Sequence, residues 1–168
     1  MCYSDAMEDI FNSVVARAAG ISAGNALADV LSVRSEIIEL TENSHDACLK
    51  PQPPGGLAHS ERAALACRMA LINLDYELAS HYKSMFEADE PSIADPGYYG
   101  ADDARLKAII RHTDLVTRSP KDTAAGDIAA LQAAGIPEED IVRLSELIAF
   151  VNYQVRLVAG LRLMAEAS

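Results

Sequence analysis

Glu77 and His81 stand four residues apart in the stretch LINLDYELASHY, residues 71–82. On a helix, positions i and i+4 share a face, which brings a carboxylate within hydrogen-bonding reach of an imidazole. A carboxylate that orients a histidine makes a general base, so the pair defines candidate acid–base chemistry. The competing reading is a helix-surface ion pair, contributing about 0.3–0.5 kcal/mol. A metal site would need a third ligand, and no spacing identifies one. Tyr76 offers either a pocket hydroxyl or an aromatic packed on its helix, and Asp75 is expected off that face, in water. His45, His59 and His112 have no ligand spacing to one another and read as structural or exposed.

The elements that must hold these side chains are helical. Alanine is abundant, tryptophan absent, and Val and Ile never alternate between hairpin turns, so the fold class is all-α. Periodic apolar residues predict a first helix over residues 5–19, stopped by Gly20. A second follows over residues 26–43, with Leu27, Val30, Leu31, Ile37, Ile38 and Leu40 inward. KPQPPGG, residues 50–56, cannot be helix and reads as a linker, with Gly55-Gly56 as a turn. Ser60 is a plausible N-cap for one long helix reaching Glu87. Residues 90–100 form a loop whose Tyr98 and Tyr99 pack on a neighbour.

A helix over residues 102–117 is expected to place Leu106, Ile109, Ile110, Thr113 and Val116 inward. Ser119-Pro120-Lys121-Asp122 reads as a capping box opening the next helix, which ends near Gly135. Pro137 and the acids after it open the last helix, which runs to Met164 and is apolar on more than one face. Arg156, beside Asn152 in that helix, is expected to need a partner across helices or subunits if buried. The expected organisation is an N-terminal helical pair, residues 1–50, on a core of residues 57–165, as one structural domain.

Acidic residues outnumber basic ones 25 to 14, a net charge of −11. Such a chain repels phosphate backbones, and no overall Lys/Arg stripe offsets that, so no nucleic acid is expected. Cys2, Cys48 and Cys67 form no C-x-x-C pair and no zinc spacing; with no signal peptide, they suggest a reducing cytoplasm. Asn152, Gln154, Arg156 and Arg162 in the most apolar segment make a buried helix a better reading than a membrane span. Phosphate-loop, G-x-S-x-G and H-E-x-x-H patterns are missing.

Residues 114–161 carry Thr117-Arg118-Ser119-Pro120, then Asp127 with Leu131 and Gly135, then Phe150-Val151-Asn152-Tyr153 followed by Arg156. In these marks the segment resembles the C-terminal half of AhpD-like, peroxidase-related proteins of the carboxymuconolactone decarboxylase superfamily. SERAALACRMALINLDYELASHY, residues 60–82, resembles the family's active-site helix, and the similarity spans about residues 57–161. The resemblance implies an AhpD-like bundle of about six helices, centred on helices 60–87 and 137–164. Because the last helix is apolar nearly all round, a homo-oligomer, dimer or higher, is expected, and the family's members assemble through such helices. The resemblance also implies an alkylhydroperoxidase-related activity.

In that family a C-x-x-C pair cycles between dithiol and disulfide while a histidine and an upstream glutamate relay protons. Here His81 matches the histidine and Tyr76 the aromatic common between the cysteines. Leu74 and Glu77 occupy the two thiol positions, and the glutamate falls on Arg62, with Glu61 one residue out of frame. Leucine has no nucleophile, and a carboxylate cannot make or break a disulfide. Cys67, seven residues before Leu74 and so ~10 Å away along a helix, reads as a small buried hydrophobe.

The resemblance therefore makes His81, Glu77, Tyr76 and Glu61 the catalytic candidates, with no cofactor and no metal. Two functions remain open. One is residual acid–base chemistry by His81 and Glu77, as in the family's decarboxylases; the other is a non-catalytic oligomer that binds a small molecule or serves as a scaffold.

Overall fold

A computed structural model of the chain describes residues 10–87 and 91–167. Among them there is no strand, and the fold is all-α. The helices lying wholly within the described residues are α1 Val14–Ala18, α2 Ala28–Val33, α3 Ser35–Leu49, α4 His59–Ile72, α5 Tyr76–Lys83, α6 Pro91–Ala94, α7 Ala104–Arg118, α8 Ala125–Ala133 and α9 Glu138–Glu166, with a 3-10 turn at Pro120–Asp122. The chain divides into two units: residues 1–47 with 153–168, and residues 48–152.

In the first unit, Ser13 interrupts the helix expected over residues 5–19. Its hydroxyl caps α1 by accepting from Ala16 N at 3.2 Å; residues 5–9 lie outside the described residues. The Glu42 carboxylate accepts from Val14 N at 2.9 Å, and burial holds that carboxyl above its ordinary range. At the other end of α1, Arg162 donates to Ala18 O at 2.8 Å. The helix expected over residues 26–43 is two: α2 ends at Arg34, and α3 runs on to Leu49. That break turns the stripe. Leu27, Leu31 and Ile38 are buried, whereas Val30, Ile37 and Leu40 are exposed.

The second unit is built around α4, in which residues 61–70 are all buried. Four alanines among them (63, 64, 66 and 70) let neighbours approach closely, and two fully buried arginines bind those neighbours. Arg62 donates to three backbone carbonyls, those of Leu57 (3.0 Å), Cys48 (3.1 Å) and Pro54 (2.9 Å). It thereby satisfies a proline-rich segment that has no secondary structure of its own. Gly56 approaches Asp140 so closely that a Cβ would collide with the carboxylate, which accepts Gly56 N at 3.0 Å.

The single long helix expected over residues 60–87 is broken in two. At the end of α4, Leu74 N bonds Leu71 O at 3.0 Å and Asp75 N bonds Ala70 O at 2.9 Å. This is the two-bond termination that ordinarily carries glycine at the position Leu74 occupies, in the left-handed region at φ 60°. Asp75 then caps α5, its carboxylate accepting Leu78 N at 3.1 Å. Asp75 is buried, not solvated as expected, because it serves as that cap.

Asp103 caps α7 through Leu106 N, and Ile109, Ile110 and Thr113 face the core as expected, with Leu106 and Val116 half-buried. Ser119 opens no helix. Pro120 begins a single 3-10 turn, and α8 starts only at Ala125, where the Asp127 carboxylate accepts Ala124 N at 2.9 Å. The last helix, α9, is long and apolar enough to cross a membrane by length and composition. Half of its most apolar window is buried inside the protein, which is compatible with a core helix of a soluble protein. Arg156 is exposed on it, not buried.

Candidate functional site

Glu61 sits in the first turn of α4, buried, with both carboxylate oxygens on Arg105, at 2.8 and 3.2 Å. Arg105 also donates to Gly56 O, and its bond to Glu61 pushes its pKa above the ordinary arginine value. Glu61 is thus a carboxylate held by a guanidinium and a clamp on the glycine turn. A free base would need those oxygens unengaged.

Tyr76 opens α5 with 67% of its surface exposed, so it is neither a packed aromatic nor a pocket hydroxyl. Glu77 is also exposed and makes no hydrogen bond or ion pair among the described residues, so the expected bond to His81 is not formed. His81 lies half-buried in the last turn of α5, its ring edge-on to that of fully buried Tyr82 at 5.2 Å. The four candidates do not converge: Glu61 is tied to Arg105, Tyr76 and Glu77 face solvent, and His81 packs on Tyr82.

The thiols stand apart from this turn. Cys67 is buried, its Sγ 3.4 Å from Ala79 O, and burial pushes the thiol up. Cys48 is half-buried and shifted the same way, by burial and then by Glu146. A raised pKa removes thiolate, the reactive form. No group of three or more His, Cys, Asp or Glu capable of holding a metal occurs among the described residues.

A cleft lies elsewhere, along α7. Its volume is about 760 Å³, and its lining is Lys107, Ile110, Arg111, Asp114, Leu115 and Arg118 with Tyr99 and Ser119. Asp114 is gripped by Arg68, whose guanidinium donates to both oxygens at 2.6 and 2.7 Å. Arg111 gives one nitrogen to Asp127 at 3.1 Å. Lys107 and Arg118 make no ion pair among the described residues. The expected absence of an overall basic stripe hid a local one. Lys107, Arg111 and Arg118 share one helix face, a signal that spacing alone carried.

On the far side of α7, the buried Nδ1 of His112 and Oγ1 of Thr113 have no hydrogen-bond partner among the described residues. Burial holds His112 below its ordinary pKa, with Asp127 opposing the shift and Arg111 adding to it.

No protein-family model matches the chain, and no curated protein matches it.

Proposed function

We propose that the chain is an AhpD-like protein of the carboxymuconolactone decarboxylase superfamily that has lost thiol redox chemistry and serves to bind a small molecule. One observation carries this reading. At the turn between α4 and α5, where the resemblance puts two thiols, stand Leu74 and Glu77, both exposed and neither containing sulfur. The described cysteines, Cys67 buried and Cys48 half-buried, both have thiols pushed up by burial, which disfavours the reactive thiolate. The acid–base alternative lacks its orienting bond, since among the described residues Glu77 makes no hydrogen bond or ion pair with His81.

The same reading makes the protein a cytoplasmic homo-oligomer. Val142, Tyr153, Leu163 and Met164 leave apolar surface exposed along α9, the kind of residue a second copy covers.

The test is hydroperoxide consumption with dithiothreitol as reductant, comparing the native chain with Cys67→Ser. Background rates in both are expected. Turnover by the native chain that the substitution abolishes would overturn the proposal.

A further inference from the structure

The cleft along α7 is built, not incidental. Successive residues on a helix are separated by ~100° and ~1.5 Å, so positions 107, 111 and 118 fall within about 40° of one another over ~16 Å of axis. That places three cations in a row, Lys107, Arg111 and Arg118, of which Arg111 already gives one nitrogen to Asp127 at 3.1 Å. Leu115, half-buried, flanks the row on one side and supplies apolar surface, and buried Ile110 closes the floor on the other. The only carboxylate in the lining, Asp114, is neutralised from below by fully buried Arg68. The cleft is therefore positive in a chain whose net charge is −11.

Tyr99 is held at the mouth by its neighbour. Gly100, at φ +92°, packs on the backbone of Lys107 so tightly that a Cβ would lie 2.7 Å from the Lys107 nitrogen. Only glycine permits that approach, and it fixes the loop carrying Tyr99 against the head of α7. The Tyr99 ring itself is 69% exposed, an aromatic face with nothing packed over most of it.

We propose that this cleft binds a small organic acid, one with one or two carboxylates and an apolar, ring-sized body. The inference rests on the binding reading above and names its site and ligand class. A carboxylate between Lys107 and Arg111 meets two cations one helical turn apart, and Arg118 receives a second carboxylate farther along. Half-buried Leu115 and the exposed Tyr99 ring take the apolar body, over a floor closed by buried Ile110. The cleft's volume of about 760 Å³ suits such a molecule. Concave walls concentrate the field of these cations, of Lys107 and Arg118 above all, and draw anions to a protein that otherwise repels them.

The probe is terephthalate, titrated calorimetrically and by amide chemical-shift mapping, against its uncharged counterpart terephthalamide and inorganic phosphate. Saturable terephthalate binding that moves the amides of residues 107–118 is expected. Lys107→Glu and Arg118→Glu should each weaken it about tenfold or more, while Lys121→Glu, on an exposed residue outside the cleft, leaves it unchanged. Both charge reversals fall on exposed side chains, and circular dichroism confirms that the variants fold. The proposal is overturned if terephthalate does not saturate, if terephthalamide or phosphate binds as well, or if the charge reversals leave affinity unaltered. Failure here leaves the peroxide result standing, and peroxide turnover would sink the thiol-free reading without moving this titration.

Discussion

Arg68 and Asp114 form a two-pronged ion pair between α4 and α7, Nε to Oδ1 at 2.6 Å and the second guanidinium nitrogen to Oδ2 at 2.7 Å. The arginine is fully buried and also donates to the carbonyls of Ile93 (3.3 Å), Pro96 (3.2 Å) and Asp95. It therefore joins the central helix, the α6 segment and the floor of the cleft at one point. Removing one partner of a buried pair strands the other charge, which costs more than the pair contributes. Asp114→Ala is expected to lower unfolding free energy by about 3 kcal/mol in urea denaturation. A loss under about 1 kcal/mol would show that the carbonyls alone satisfy Arg68.

Leu74 holds a conformation that glycine adopts without strain, at φ 60°, with 71% of its surface in water. Its side chain gives up little if deleted, while the left-handed backbone costs a β-carbon about 1–2 kcal/mol. Leu74→Gly is accordingly expected to stabilise the protein by about 1 kcal/mol, read as a raised melting temperature. A lowered one would mean that the Leu74 side chain is held by contacts its exposure does not reveal.

Asp75 supplies the first hydrogen bond of α5 from a buried position. Asp75→Ala should destabilise by about 1 kcal/mol, the ordinary cost of an N-cap, whereas Asp75→Asn should retain most of it. Equal losses from both would show that the negative charge, not the cap, matters.

How much of this was legible beforehand differs by residue. Pro137 with its acids marked the start of α9, and the prolines of residues 50–56 marked an irregular segment, because proline and glycine restrict the backbone locally. The break at Leu74 was not legible, since leucine is a good helix former and its left-handed turn is imposed by two backbone bonds at the end of α4. Asp75 looked solvated for the same reason: its role exists only once the helix breaks. Arg62 and Arg68 gave no sign of burial, because charge alone places arginine at the surface and their carbonyl partners come from distant segments. Of the candidate residues, Glu77 is exposed and His81 half-buried on one short helix, a difference that i, i+4 spacing does not encode. The cleft needed Tyr99 and α7 together, and no local pattern joins them.

His112 is buried with no partner on Nδ1 among the described residues, and burial lowers its pKa from the usual 6.5. The folded state keeps it neutral, so as pH falls below 6.5 the unfolded chain takes up this proton first and gains relative stability. Native stability should be full above pH 6.5 and decline below it toward the lowered folded value. His112→Gln is expected to flatten that part of a stability–pH profile measured by urea denaturation, and an unchanged slope would assign it to another group.

The most direct measurement is the rate of alkyl hydroperoxide consumption by the native chain beside Leu74→Cys/Glu77→Cys, both with dithiothreitol as reductant. The double substitution places sulfur where the AhpD-like frame expects it, at the start of α5, where a helix N-terminus favours thiolate. A native chain at background and a double variant that consumes peroxide is the expected result. A native chain that consumes peroxide as fast as the double variant would contradict the claim that this turn has lost its redox chemistry.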